Sequence, residues 1–442
     1  MRTVRFSFLI LIFLSTGFNG LWSQSVKLDF QEYDLPNGLH VILHEDHSTP
    51  IVTVSVMYHV GAKNEEPTRT GFAHLFEHLM FEGSEYIPRG EYTRFIEKAG
   101  GTLNANTSYD RTYYYEVLPA NQLALGLWLE SERMLHLKMD SLGIATQKGV
   151  VIEEIKEREE NQPYGSILRE TFKRAYVAHP YKTTVLGSAD HLRAASDEDV
   201  INFYKKYYVP DNAVLTLTGD INPKKAKKLI SKYFGDIPAG KLLIVRPLAN
   251  EPVKNAEIRH TVYDNIQLPA IIQAYHVPAM GTQDYYAVSL LNTVLSGGQS
   301  SRLNKTLVDE QQLALQAMAL ALPLEHPGIT LTLLIPNMGV DLTKLENASD
   351  AEVAKLQNEL IPETEFQKLK NNVEADMIGR LSGIEGRAEL LATGYTYYKS
   401  SNSVNTEIDK YMAVTREDIR DAARKYFRKD NRVVLYYLPK TN

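Results

Sequence analysis

The chain has 442 residues, of which 44% are hydrophobic and 23% charged, and it carries a formal net charge of −6. Domains usually contain about 100 to 200 residues, so at least two are expected. The acidic balance argues against nucleic acid as a partner, and the absence of cysteine excludes disulfides, thiol nucleophiles and thiolate metal sites.

Residues 1–23 have the order of a secretory signal peptide. Two arginines precede an apolar stretch at residues 6–14, and small or polar residues follow. We expect cleavage near Ser23 or Gln24 and an exported protein, periplasmic or secreted. The alternative is an uncleaved membrane anchor, but the apolar stretch is far shorter than the ~20 residues that a spanning helix needs.

The rest of the chain contains an internal repeat. A strand-like stretch at 52–60 ends in Tyr-His-Val, and a second one at 271–277 ends in the same three residues, 217 positions later. A helix-start sequence at Ser196 recurs 219 positions later at Thr415, and both are followed by acidic residues, as helix N-caps often are. Two anchor pairs with nearly equal spacing predict two homologous domains.

We expect each domain to be α+β, with a mainly antiparallel sheet packed against helices. Alternating apolar residues in 52–60 predict a half-buried strand. Longer amphipathic segments predict helices at 119–136, 142–160, 196–207 and 363–381. Prolines and glycine interrupt both the strand and the helix patterns in the middle of the chain. The predicted units are therefore a first domain at 24–240, a linker at 241–257 and a second domain at 258–442.

The N-terminal unit contains a short helix predicted for 70–83, capped by Thr70 and ended by Gly83. Its apolar residues fall at the spacing of a core-facing stripe: Phe72, Leu75, Phe76, Leu79 and Met80. On the other side of the helix lie His74, Glu77 and His78, which are neighbours because residues three and four apart share a face.

This cluster predicts a metal site. Two histidines at i and i+4 can bind one zinc ion, and the glutamate between them is placed to take a proton from a water. A catalytic zinc has three protein ligands, so one more ligand is required. The order His74-x-x-Glu77-His78 reverses H-E-x-x-H and is the inverzincin signature.

The segments around this helix resemble the pitrilysin and insulin-degrading-enzyme family. They read TGFAHLFEHLMFEGS, preceded by LPNGLHVILHEDHSTPIVTVSVMYHVGA and followed by GGTLNANTSYDRTYYYEVLP and GGQSSRL. The resemblance is greatest to the shorter branch with the mitochondrial processing peptidase beta subunit and bacterial zinc proteases. It implies a zinc metalloendopeptidase for peptides or unfolded polypeptides, with one Zn2+ per chain, Glu77 as catalytic base, and two domains that form half of a peptidase chamber.

In that family the third ligand is a glutamate some seventy-odd residues beyond the second histidine. Here GVVIEEIKEREENQPYG offers Glu153, Glu154 and Glu157 at that distance. The family's flanking apolar residues match Val151 and Ile155, which favours Glu154 as the ligand. Glu153 points about 100° away on the same helix and is therefore the second choice for the third ligand.

The resemblance implies further roles near the site. Family substrates bind as an added strand along the segment that here runs from 101 to 115, so Asn104 and Ala105 are assigned to main-chain substrate binding. The alternative for these residues is a turn, which Gly and Asn favour. Gln147 replaces a family glutamate that hydrogen-bonds a metal-bound histidine, and its role here is left open.

The C-terminal unit has apolar residues at positions where the N-terminal unit or single-chain relatives have functional side chains. The offset of 217 places Leu291, Val294 and Leu295 opposite the three metal-helix residues, so no second metal is expected. Single-chain relatives also supply an Arg and a Tyr to the substrate carbonyl, and this chain has Val308 and Leu315 there. We therefore predict a heterodimer with a metal-free homologue that supplies Arg and Tyr, and rank a homodimer second.

The sequence has two alternative interpretations of its function. One is a non-catalytic structural or peptide-binding subunit of a peptidase-like heterodimer, which the intact His74, Glu77, His78 and Glu154 argue against. The other is a metal-storage or sensor domain, which the internal repeat and the full-length resemblance argue against.

Overall fold

The computed structural model describes residues 27–246 and 250–440, so the signal peptide predicted for 1–23 lies outside the described residues. In this part of the chain, no helix is both long enough and apolar enough to cross a membrane. The described residues form two mixed but mainly antiparallel sheets, each packed with helices, which confirms the predicted α+β class.

The N-terminal half begins with a strand and ends with a helix. Its strands are β1 (Gln31–Asp34), β2 (His40–Glu45), β3 (Ile51–Tyr58), β4 (Thr102–Thr107), β5 (Thr112–Pro119) and β6 (Ala213–Gly219). Its helices are α1 (Phe72–Leu79), α2 (Glu91–Lys98), α3 (Leu123–Leu135), α4 (Ser141–Ile155), α5 (Ile167–Ala175), α6 (Ala189–Ala194), α7 (Asp197–Tyr207) and α8 (Pro223–Phe234).

The C-terminal half follows the same plan. Its strands are β7 (Ile258–Asp264), β8 (Ala270–Val277), β9 (Ala314–Leu322), β10 (Gly328–Pro336) and β11 (Arg432–Pro439). Its helices are α9 (Gln283–Ser296), α10 (Leu342–Asn358), α11 (Glu363–Ser382), α12 (Ile384–Tyr398), α13 (Ser403–Ala413) and α14 (Arg416–Tyr426).

The internal repeat appears in the strand order. The first sheet runs β1-β2-β6-β3-β5-β4 and the second runs β7-β11-β8-β10-β9, so the two match strand for strand once β1 is set aside. Each sheet also has one parallel pair at the same place, β2 with β6 and β7 with β11. The edge strand β4 therefore corresponds to β9.

The two predicted helix caps are present. Ser196 accepts a hydrogen bond from the backbone N–H of Asp199 at 3.1 Å, and Thr415 accepts one from Asp418 at 3.1 Å. In both cases the aspartate carboxylate accepts the backbone N–H of the cap residue at 2.9 Å, which completes a capping box.

The halves exchange one helix each. One face of the first sheet packs on its own helices, whereas its other face is covered by α12 from the C-terminal half, where buried Leu391 clusters with Met57 and Val214. In return α5 of the N-terminal half packs on β8 and β11, where Phe172 clusters with Ile272. We call α5 and α12 the exchanged helices.

We expect Leu391→Ala to lower the free energy of unfolding by about 2 to 5 kcal/mol, because it leaves a cavity between an exchanged helix and the first sheet. Urea unfolding followed by circular dichroism measures the change. Ile378→Ala, on the neighbouring helix and 47% exposed, is the control and should cost far less. Equal effects of the two substitutions would contradict the packing described here.

Buried charges also join the halves. The Lys63 ammonium donates to Asp110 at 2.8 Å and to Glu325 of the C-terminal half, and the Nε2 atom of His59 lies 2.7 Å from the same Glu325 carboxylate. Glu325 in turn donates its backbone N–H to Asp110 at 3.0 Å. Because each buried charge has a partner across the junction, removing one would leave another uncompensated.

Burial lowers the pKa of His59, in the junction itself, to about 4, and two more uncharged histidines lie near it. Burial lowers the pKa of His179 and of His276 to about 4. The Nδ1 atom of His179 accepts the backbone N–H of Tyr181 at 3.2 Å, a contact that a protonated ring would lose. Among the described residues, the Nε2 atom of each ring has no hydrogen-bond partner to stabilise an added proton.

Stability should therefore fall as the pH drops from about 6.5 towards 4. In this range the unfolded chain, with an ordinary histidine pKa near 6.5, binds protons that the folded chain does not. The free energy of unfolding is therefore undiminished by these histidines above pH 6.5, and the loss is complete near pH 4. We expect a loss of about 1 to 3 kcal/mol for each histidine. Urea unfolding at several pH values measures it, and a His179→Asn/His276→Gln variant should show a flatter profile; an unchanged profile would contradict the assignment.

Candidate metal centre

The helix that carries the two histidines is α1, and its N-terminus differs from the prediction. Thr70 does not cap it, because the Thr70 hydroxyl pairs with Nδ1 of His191 at 2.8 Å. Instead the buried Glu65 carboxylate accepts the backbone N–H groups of Gly71 and Ala73, both at 2.8 Å. A carboxylate bound to two free N–H groups at a helix start fixes the helix as a capping side chain does.

The apolar stripe of α1 is buried as predicted, in one cluster with the first sheet and α7. Two further contacts hold the helix: the Tyr114 hydroxyl donates to the carbonyl of Phe76 at 3.1 Å, and Nε of Arg133 donates to the carbonyl of Met80 at 3.3 Å. The Arg133 guanidinium is itself buried against aromatic rings. The backbone of the predicted metal helix is therefore rigidly positioned.

Helix α4 brings the third predicted ligand to the two histidines. The Glu154 Oε2 atom lies 3.6 Å from Nε2 of His74 and 3.3 Å from Nε2 of His78. Tetrahedral zinc with bonds of about 2.0 to 2.1 Å separates its ligand atoms by about 3.3 Å, so the three residues fit a zinc ion. Glu153 is exposed and pairs with Lys156 at 2.6 Å, away from the histidines.

The charges around the three residues also suit a metal. Burial, with a smaller contribution from the Arg158 guanidinium, lowers the pKa of His74 to about 3, so its ring is neutral as a metal ligand must be. Glu154 turns its second oxygen, Oε1, to Arg158 at 2.8 Å. Arg158 lies in a π-helical turn at 156–160 that continues α4, and the sequence pattern did not indicate this contact.

Glu77 lies on the same face of α1 as the two histidines but does not belong to the cluster of candidate ligands. Among the described residues, the one cluster of three or more metal-binding side chains is His74, His78 and Glu154, whose ligand atoms lie within 4.8 Å of one another. The Glu77 Oε2 atom accepts a hydrogen bond from the Thr107 hydroxyl of β4 at 2.6 Å. A carboxylate beside a candidate metal site is a suitable proton acceptor.

The strand next to Glu77 is an edge. Among the described strands β4 pairs only with β5, and its opposite side is free, while Asn104 and Ala105 lie in its middle. The Asn104 side chain is on the exposed face, where Oδ1 accepts the N–H of Ala105 at 2.8 Å. A cavity of about 300 Å³ between strand and helix is lined by Glu77, His78, Phe81, Thr93, Leu103, Asn104 and Ala105.

Two further residues near the centre, Gln147 and Glu159, make side-chain hydrogen bonds. Gln147 donates its side-chain amide to Glu82, not to a histidine, and Nδ1 of His74 has no hydrogen-bond partner among the described residues. Glu159 is buried and accepts from Arg169 at 2.6 Å and Thr184 at 3.2 Å. It thereby anchors the turn that carries Arg158.

The corresponding helix of the C-terminal half is α9. There Leu291, Val294 and Leu295 are all buried in the apolar core. The duplicated helix therefore uses for packing the positions that hold metal-binding side chains in α1.

The H-x-x-E-H helix is the signature of the inverzincin class, and here a glutamate from a second helix joins its two histidines. The comparisons with known proteins identify the family within that class. Residues 40–188 match the model described as "Insulinase (Peptidase family M16)", and residues 194–373 match the "Peptidase M16 inactive domain". The chain belongs to the insulinase family, peptidase family M16.

Individual relatives cover nearly the whole chain. The chain is 30% identical to the zinc protease PqqE of Helicobacter pylori over 425 residues, which are 94% of each chain. It is similar to the crystal structure of a protease from Helicobacter pylori, with a TM-score of 0.89, 29% identity, and coverage of 93% of this chain and 100% of that one. The fold also matches that of the periplasmic protease PqqL from Escherichia coli, with a TM-score of 0.74 at 18% identity. This match includes 94% of the present chain but 48% of the PqqL chain.

Proposed function

We propose that this chain is a zinc metalloendopeptidase that hydrolyses peptides or unfolded polypeptides. The observation that carries the proposal is the convergence of His74, His78 and Glu154 at ligand distances beside a non-ligand carboxylate, Glu77, and a free strand edge. Relatives named zinc proteases support it.

Each residue of the site has a separate role in the proposed reaction. Zinc, when bound, supplies Lewis acidity that activates a water and polarises a peptide carbonyl. The three ligands hold the ion, and Arg158 holds Glu154 by its other oxygen. Glu77 takes a proton from the water and gives it to the leaving amine. The free edge of β4 aligns an extended substrate by main-chain hydrogen bonds, with the cavity beside Phe81 open to one side chain.

Purified protein tests the proposal directly. Elemental analysis should find one zinc per chain, and a set of unfolded polypeptides should be cleaved, with loss of cleavage on chelation and recovery on added zinc. Zinc binding without any cleavage, alone or with homologous partners, would instead support a non-catalytic, peptide-binding subunit.

We further propose that full activity needs a second, metal-free homologous chain. Val308 lies in a π-helical turn and Leu315 is 59% exposed on β9, and neither side chain can donate the hydrogen bonds that the family's Arg and Tyr provide. That this chain covers about half of the PqqL chain is consistent with half a chamber.

We expect a metal-free homologue that carries the Arg and Tyr to raise kcat/KM by about 100-fold or more, since one lost oxyanion donor costs about 10² to 10³ in rate. Peptide cleavage by this chain, by the homologue and by their mixture measures the effect. The control is a homologue in which the Arg and Tyr are replaced by Met and Phe. A homodimer at full rate, unchanged by the homologue, would contradict this part of the proposal.

Export is also part of the proposal, and it is supported by the charge and apolar pattern of residues 1–23. Mass spectrometry of the N-terminus from fractionated cells should find a chain that begins near Ser23 or Gln24 outside the cytoplasm. A full-length chain kept in the membrane would instead support the uncleaved anchor.

A further inference from the structure

Glu77 projects from α1 towards β4. It belongs to a helix whose backbone is fixed, but its own side chain has several rotatable bonds and needs a partner to hold one orientation. Among the described residues, the one protein hydrogen bond to its carboxylate comes from the Thr107 hydroxyl at 2.6 Å.

Thr107 is placed for this contact by the alternation of β4. Leu103, Ala105 and Thr107 are the half-buried residues of the strand and alternate with exposed neighbours, so they share the face towards α1. Leu103 and Ala105 line the cavity next to Glu77. The strand that offers its edge to a substrate therefore also holds the proposed base.

The end of β4 is anchored to the other half of the molecule. Arg111, just after the strand, donates to the carbonyl of Asn106 at 3.2 Å and to Glu389 of α12 at 3.0 Å. The position of the Thr107 hydroxyl is thus fixed from both sides of the junction, by its own sheet and by an exchanged helix.

We propose that Thr107 is a positioning residue for the catalytic base. Its hydroxyl holds the Glu77 carboxylate in the orientation that receives the proton, and it couples the substrate-binding strand to the base. The proposal rests on the proposed peptidase function.

The test replaces the hydroxyl and keeps the shape. Thr107→Val removes the donor, whereas Thr107→Ser keeps it. Thr330→Val is the matched control, since Thr330 also lies in a strand and donates to a side-chain oxygen, that of Asn292, at 2.6 Å, far from the metal helix. The measurements are kcat and KM on one peptide, zinc per chain and the thermal midpoint, with the partner chain present if activity needs it.

We expect Thr107→Val to lower kcat about 10- to 100-fold with KM within about twofold of wild type and zinc retained, because a misplaced catalytic group costs rate rather than ground-state binding. Thr107→Ser should restore most of kcat, and Thr330→Val should not reduce it.

Three results would overturn the inference while leaving the proposed function intact: an unchanged kcat in Thr107→Val, a Thr107→Ser variant as slow as Thr107→Val, or a loss of zinc that accounts for the lost rate. A wild-type chain that binds zinc but cleaves nothing under any condition would overturn the proposed function, and this inference with it.

Discussion

Glu77→Gln is expected to keep its zinc and to lose peptidase turnover by about 100- to 10,000-fold, which is the contribution that a general base typically makes. The metal is retained because the cluster of ligand atoms consists of His74, His78 and Glu154 and does not include Glu77. The amide oxygen of glutamine can still accept the Thr107 hydroxyl, but it cannot take a proton at neutral pH. Elemental analysis and peptide cleavage, measured on the same preparation, separate the two properties.

Glu97→Gln is a suitable control for the base, because it also removes one carboxylate charge from the N-terminal half but lies on an exposed position of α2. It should cleave at the wild-type rate. If Glu77→Gln cleaved at that rate too, Glu77 would not be the base.

The second large effect is expected from the metal ligands. His74→Ala, His78→Ala and Glu154→Gln should each weaken zinc binding by more than about 100-fold, since even partners that only orient a ligand cost about 10- to 100-fold in affinity. Competition with a coloured chelator measures the affinity, and activity should be lost at the same zinc concentration at which the metal is lost.

Glu153→Gln distinguishes the two candidate third ligands. Its carboxylate is next to Glu154 in the sequence but pairs with exposed Lys156, so its zinc affinity should equal that of wild type. A variant at Glu153 that lost the metal while Glu154→Gln kept it would show that the third ligand had been misassigned.

The fold could be predicted largely because its signals are local. The capping sequences at Ser196 and Thr415, the strand β3 and the stripe on α1 depend on residues close together in the chain, and the structure contains all three. The predicted half-burial of β3 is wrong, because α12 covers the second face of the strand and both faces are buried. Repeating such local patterns at one spacing was sufficient to predict two similar halves. His74 and His78 are also close together in the chain, so their place on one helix face could be predicted in the same way.

Other features could not be predicted, because they depend on contacts between distant segments. Spacing alone did not choose Glu154 over Glu153; the family resemblance did. The cap of α1 by Glu65 replaced the expected Thr70 cap because a buried carboxylate reached two backbone N–H groups, while Thr70 turned to His191. No pattern of period two or 3.6 shows that Thr107 lies against Glu77, 30 positions away.

The exchanged helices have a consequence for the origin of the chain. Ile167 and Ile384, the first residues of α5 and α12, are 217 positions apart, the spacing that also separates Tyr58 from Tyr275. The two helices are thus copies of one ancestral element, and each covers the sheet of the other copy. This is the arrangement of a domain-swapped dimer joined by a linker. A single half on its own would leave one apolar sheet face in water, so each half depends on the helix of the other for its own burial.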